Sequence, residues 1–407
     1  MLEKLLYRFR VGHAYWRTAP FAEVAELYAS RFLRVVAQNL IGSFIVVILY
    51  QHGYGLASIF GLLTGYFLYR GTISLPFAHV IAWIGPKTAI LLSNALAIPA
   101  LVALSFIGDH LSASVLLYFA FEGVSSALLT IATDVQFSSI KTSHKAGREI
   151  SWLTVTEKIA AAVAPVVGGF LAFRFGPQSI MWLSAFMMLA AALPLFFSPE
   201  HLRRKQRVTY AGFPWKRAAV QVVTPALRGY VTTAGSSVWS LYIALFVVGM
   251  SSDAVYAELG IFFSISFLAS IVVSRAYGVL IDRRKGIDLL RAGVVLSTLT
   301  QAVRPLVSTQ LAVGMVNASS EVANSAYGMP ILRAQYDMVD NLPGYRVVYL
   351  ALTMFFLSVG AAAATFAAFV FVSLLGDIDG LRAMFTTAAF ISPLIFVHGF
   401  DSLRRRC

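Results

Sequence analysis

Long apolar runs follow one another along the chain, broken by short polar stretches. A helix needs ~20 mostly apolar residues to cross hydrocarbon. Runs at 33–52, 55–82, 88–107, 112–139, 150–175 and 179–198 reach that length, as do runs at 229–250, 256–281, 287–306, 309–335, 344–374 and 381–400. All are too long and apolar for strands, and bare backbone in lipid must be satisfied within a helix. The pattern predicts an all-α membrane protein of twelve spans in two six-helix bundles. The expected divisions are a cytoplasmic lead-in at 1–32, bundles at 33–198 and 229–400, a basic linker at 199–228 and a tail at 401–407. Phe21, Val24, Ala25 and Tyr28 recur at helical spacing, so the lead-in is expected to lie along the membrane surface.

Composition agrees. Charged residues are 13% of the chain and hydrophobic ones 58%, whereas a soluble domain carries about 25% charged residues. The net charge of +13 would suggest nucleic acid in a soluble protein. Here Lys and Arg collect in the lead-in, the linker, the tail and alternate turns, whereas only Arg174, Arg304 and Arg382 fall on the other side. The excess is therefore a topology signal that puts both termini in the cytoplasm, and no nucleic-acid partner is expected. The single cysteine, Cys407, permits no internal disulfide. No cofactor or metal is expected: there is no metal-spaced Cys/His cluster and no phosphate-binding Gly-rich loop.

Two short stretches carry more. Gly278-Val-Leu-Ile-Asp282-Arg283-Arg284-Lys285-Gly286 lies at the inner turn after the eighth span. It resembles the signature loop of the major facilitator superfamily, with its second Gly one place late. The matching turn after the second span keeps Gly85 and Lys87 but has Ala78 and Ala82 where the family has Gly and Asp. In the fifth span, Ala164-Pro165-Val-Val-Gly168-Gly169 is similar to an element of proton-coupled antiporters of the same superfamily. It forms small-residue rows that also suit plain helix packing. The resemblance implies a secondary transporter working by alternating access, with Asp282 locking the halves in one state.

Ionisable residues within spans are costly and usually face a cavity or a partner. Asn317, Glu321, Asn324 and Gly328 share one face of the tenth span; Glu122, Ser126, Thr130 and Thr133 share one of the fourth. Gln38 and Asn39 lie in the first span, and Ser237 and Trp239 in the seventh. The resemblance implies that these four helices line the cavity. Arg70, inside the second span, suits either solute contact or an ion pair. Glu157 and Lys158 are about 100° apart on a helix and cannot face each other, so each needs its own partner. The candidate solute contacts are Gln38, Asn39, Arg70, Ser126, Ser237, Trp239, Asn317, Glu321 and Asn324. The candidate proton carriers are Glu157, Glu321 and Glu122.

The expected function is proton-coupled transport of a small solute, leaning to efflux of lipophilic or amphipathic compounds, with metabolite uptake as the alternative. A membrane enzyme using Asp377 and Asp379 in Gly376–Gly380 to hold a metal is one reading from another class, and a non-transporting receptor is a second. A monomer in a bacterial inner membrane is expected.

Overall fold

A computed structural model of the chain describes residues 21–42, 44–108, 110–140, 146–196, 208–249, 255–342 and 344–396. Twelve helices are labelled here in chain order. In the first half they are α1 (Phe21–Gly42), α2 (Leu56–Ile84), α3 (Pro86–Ser105), α4 (Leu111–Ile140), α5 (Ala146–Phe175) and α6 (Pro177–Ala192). In the second half they are α7 (Trp215–Thr233), α8 (Val255–Asp282), α9 (Gly286–Val303), α10 (Gln310–Asp340), α11 (Arg346–Leu375) and α12 (Asp377–Ile391). There is no strand among the described residues. A short helix, Ile45–Gln51, prolongs α1. Nine spans among the described residues are long and apolar enough to cross a membrane. α2, α9 and α10 fall outside that set, and α10 is the helix that carries Asn317, Glu321 and Asn324.

The turns show why the helices end where they do. Gly85 closes α2 at φ +92° and Pro86 opens α3. Gly176 at φ +83° and Pro177 do the same between α5 and α6. A glycine takes this backbone without a Cβ penalty, and a proline at the first helical position loses no needed N–H bond. Between α8 and α9 the left-handed residue is Arg284, at φ 63°. The displaced Gly286 instead starts α9.

Two boundaries differ from the sequence expectation. α1 begins at Phe21, within the expected surface segment, and runs on without a break to Gly42. Leu27 is buried, and the Ser30 hydroxyl donates to the Ala191 carbonyl of the sixth-span helix at 2.6 Å. The helix around Leu27 and Ser30 therefore packs against the bundle. The linker is helical from Trp215, so α7 starts well before 229. α7 then continues through a π-turn (Ala234–Val238), a short helix (Trp239–Ile243) and a second π-turn (Ala244–Val248).

The halves meet along two seams, α5 against α8 and α2 against α11. Both bring backbones close. A Cβ on Gly71 would stand 3.2 Å from the Ser358 Cβ, and the Ser74 hydroxyl reaches the Ala351 carbonyl. Within the second half, α7 and α11 are closer still: a Cβ on Gly360 would overlap the Ala226 carbonyl. Gly360→Ala should overpack this contact at a cost of about 1–3 kcal/mol. Thermal unfolding of the solubilised protein is expected to show a lower midpoint for G360A, with no change for G314A, where a Cβ meets open space.

Candidate functional site

The polar face of α10 turns inward, and each of its members meets another helix or a neighbour on its own. Glu321 accepts from the Lys158 ammonium of α5, so this ion pair joins the two halves. Asn324 accepts from the Tyr327 hydroxyl at 2.6 Å. Asn317 accepts from the Trp239 indole at 2.5 Å. Gly328 leaves room for the Arg228 guanidinium of α7, which lies 3.7 Å from where a Cβ would be.

The adjacent residues Glu157 and Lys158 point to different partners, as their angular separation requires. Glu157 accepts from Arg31 Nε of α1 at 2.6 Å, inside the first half. Lys158 reaches across to Glu321 and lies 4.8 Å from the Phe267 ring centroid of α8. A third contact crosses the halves nearby, where Tyr336 of α10 donates to Asp134 of α4 at 2.9 Å. Asp134 is also within electrostatic reach of Arg31 and Arg228. The centre therefore holds Arg31, Lys158 and Arg228 against Glu157, Glu321 and Asp134.

Arg228 differs from the other cations. It is partly buried and makes no side-chain hydrogen bond or ion pair with a described residue. The sequence hid it among the linker's bases; only the extended reach of α7 puts it inside.

In the first half, Arg34 is buried and donates to Asn94 Oδ1 at 2.9 Å and Ser125 Oγ at 2.7 Å. Arg70 crosses the α2–α11 seam to Ser358 Oγ at 3.1 Å, and its guanidinium lies 4.8 Å from the Phe67 ring centroid. Glu122 faces the charges of Arg34 and Arg70, with no ion pair among the described residues. Ser126 lies against Tyr66. Asn39 bonds its own helix at the Val35 carbonyl, and Gln38 is partly buried beside it. Ser237 lies in the first π-turn of the seventh-span helix.

In the second half, Trp239 is 1% exposed. It is stacked on Tyr242, edge-on to Phe385 and covered by Arg304. Trp239 and Asn317 thus form a closed packing cluster rather than a surface open to a solute. Arg304, at the end of α9 far from the Asp282 turn, is buried and donates to Gln301 Oε1 at 2.7 Å and Ser320 Oγ at 2.9 Å. Pro165, Gly168 and Gly169 serve close approach: Cβ atoms on the glycines would strike the Leu40 and Tyr256 carbonyls, and a Cβ on Gly260 would strike that of Pro165. Asp377 and Asp379 form the first turn of α12, where a helix dipole favours acids, and Asp379 lies 3.6 Å from Arg382.

One end of the bundle is closed by two different seals. On the α5–α8 seam, Asp282 accepts from the Gly147 N–H at 2.9 Å and the Arg148 N–H at 3.2 Å, capping the start of α5 from the other half. Arg148 and Arg333 stand 3.6 and 3.7 Å from the same carboxylate. Gly278 is required here, since a Cβ would come 2.5 Å from that of Ser151. Arg283 and Arg284 continue the turn, both exposed. On the α2–α11 seam no such carboxylate stands among the described residues. Lys87 is buried against Glu26 of its own half, at 3.2 Å. The linker fills the place instead. Tyr210 lies against His79, Tyr345 donates to the Ala211 carbonyl at 2.6 Å, and buried Phe213 packs edge-on to Tyr345.

Two pseudo-symmetric helix bundles, seamed together and carrying charged side chains at mid-span, define a multi-pass membrane transporter rather than an enzyme. The sequence profile of the Major Facilitator Superfamily matches residues 27–365, and the chain belongs to that superfamily of secondary transporters. No curated protein matches the chain. Among solved structures, it is similar to the human organic anion transporter MFSD10 (TETRAN), with TM-score 0.71 and 13% identity over 93% of this chain and 98% of that one. It is also similar to the E. coli fucose:proton symporter FucP in the outward conformation, with TM-score 0.67 and 14% identity over 94% and 98%. At these identities the likeness concerns the fold.

The two seals should be separable. In a Cys407→Ser background, cysteines at Ser151 and Ala78 probe the two seams with a maleimide. Asp282→Asn is expected to raise labelling chiefly at 151, and Phe213→Ala chiefly at 78. Equal rises at both positions for either variant would mean a single closure.

Proposed function

We propose that the protein is a proton-coupled secondary transporter in which Glu321 carries the proton and Lys158 is its counter-ion. The observation behind this reading is the Lys158–Glu321 ion pair, which ties α5 of one half to α10 of the other. Both side chains are about one-fifth exposed, so water reaches the pair while the surroundings still penalise an unpaired charge. Protonating Glu321 removes the attraction. The ammonium is then left to find another anion, and the cross-bundle tie is released. Glu157 is proposed to hold Arg31 in place rather than to carry the proton, since its partner lies in the same half.

Alternating access follows as the two halves rock about the seams. The Asp282 end is proposed to face the cytoplasm of a bacterial inner membrane, as the Lys and Arg distribution supports. The Arg70 guanidinium beside Tyr66 and Phe67 offers a surface suited to an amphipathic solute. Export is the proposed direction. It rests on the Ala164–Gly169 element alone, and every small residue of that element described above is also accounted for by packing.

The coupling is testable without knowing the solute. Spin labels placed on either side of the Asp282 end report whether it opens. Lowering the pH is expected to shift the wild-type distance distribution. Glu321→Gln, which mimics the protonated side chain, should hold the low-pH distribution at every pH, whereas Glu157→Gln should still respond. A wild-type-like pH response in E321Q would remove Glu321 from the coupling role.

A further inference from the structure

We propose that Arg228 anchors an anionic group of the solute, so that solute and proton load together as a charge-neutral sum. This rests on the coupling role assigned to Glu321 above.

The argument begins with charge balance in the central gap. Arg31 is committed to Glu157 and Lys158 to Glu321. Arg228 has no ion-pair partner among the described residues, and the carboxylate whose field reaches it, Asp134, is already bonded to Tyr336. An arginine does not lose its proton in a protein, and a charge inside a span that is balanced only at a distance, without a hydrogen-bonded ion pair, is expensive. Its position therefore needs a purpose or a ligand.

The geometry favours a ligand. Arg228 lies within the Gln221–Val248 span, not at its end. It faces Gly328, the one member of the α10 stripe with no side chain. Gly328 is two turns from Glu321 on the same face. A solute placed against Gly328 would thus meet Arg228 from α7 at one side and the Lys158–Glu321 pair at the other. The guanidinium's planar fork suits a carboxylate or phosphate.

Charge counting then links solute to proton. The three central cations and three central carboxylates cancel before loading. An anion alone would leave one negative charge in excess in a low-dielectric gap. A proton on Glu321 supplies the missing positive charge and frees the Lys158 ammonium to face the same anion. A neutral solute gains nothing from this arrangement, and a cation would compete with the proton.

The test uses the purified full-length protein and three molecules of one shape: benzoate, benzamide and benzamidine, with inorganic phosphate as a second anion. Binding is followed by tryptophan fluorescence and by thermal stabilisation. At least one of the anions is expected to bind about tenfold or more tighter than the uncharged amide, with no binding of benzamidine; tenfold corresponds to about 1.4 kcal/mol. R228Q should erase the preference for the anion without lowering the unfolding midpoint of the ligand-free protein, and R228K should restore part of it. Proton uptake on anion binding, read with a pH dye, should be present in wild type and absent in E321Q. Equal binding of amide and benzoate, an unchanged anion preference in R228Q, or no binding of either anion would overturn the proposal. The two ideas fail separately. Arg228-dependent anion binding without proton uptake would sink the coupling role and leave the anchor. Proton uptake driven by benzamide or benzamidine would do the reverse.

Discussion

A charge inside a membrane must be answered by another charge, and in this chain the answer lies in a different half. Lys158 and Glu321 come from helices α5 and α10, and their ion pair ties the two bundles at mid-span. The neighbouring arrangement depends on it. Because Glu157 precedes Lys158 by one residue, it must face away, and it finds Arg31 in its own bundle. One helix thus carries one internal pair and one crossing pair. Removing one member of a buried ion pair costs about 3–5 kcal/mol, because the other is left uncompensated. Protonation removes the charge reversibly at far lower cost, which is what a cycling machine needs.

The seams around that pair are built for close approach. Glycine and serine let α5 meet α8, and α2 meet α11, at backbone distance. Buried apolar clusters also extend across both seams, Ile150 and Leu153 with Ile281 on one and Ala78 and Ile81 with Tyr349 and Met354 on the other. The two seals at the Asp282 end use different physics. Asp282 borrows the N–H groups that open α5, a bond that exists only while the halves are aligned. On the other seam, the aromatic linker segment packs over Tyr345. The charge lost from the first-half loop, where Ala82 stands for the aspartate, is thus matched by an apolar contact from the linker.

Much of this was legible in the sequence, for reasons that can be named. Hydrophobic run length fixes the number of spans, because hydrocarbon thickness sets it. The spacing of Asn317, Glu321, Asn324 and Gly328 places them on one face, because a helix has 3.6 residues per turn. The need for separate partners at Glu157 and Lys158 follows from the same geometry. What the sequence does not hold is register between helices. Nothing local says that Lys158 meets Glu321, that Trp239 closes over Asn317, or that Lys87 meets Glu26. The side of the membrane expected for Arg304 from the span count says nothing of whether its side chain is buried. In the structure a 3₁₀ turn, Arg304–Leu306, folds it back under Gly235. Arg228 was lost among linker bases because amphipathic helix does not score as apolar span.

Arg34 and Arg304 sharpen the case for reading Arg228 as different in kind. Both are buried, without a carboxylate at bonding distance among the described residues, and each donates its terminal nitrogens to neutral oxygens while its Nε is left without a partner. Arg34 spans α3 and α4 through Asn94 and Ser125. Arg304 spans α7 and α10 through the Gly235 carbonyl and Ser320. Their hydrogen bonds fasten helices within one half, and their charge is spread over several dipoles. They belong to the rigid part of each bundle. Arg228 makes no side-chain hydrogen bond with a described residue, and its guanidinium faces Gly328 of α10 within the second half. The three arginines thus divide by what their terminal nitrogens touch: those of Arg34 and Arg304 bind neutral oxygens, and those of Arg228 face a glycine two turns from the Lys158–Glu321 pair.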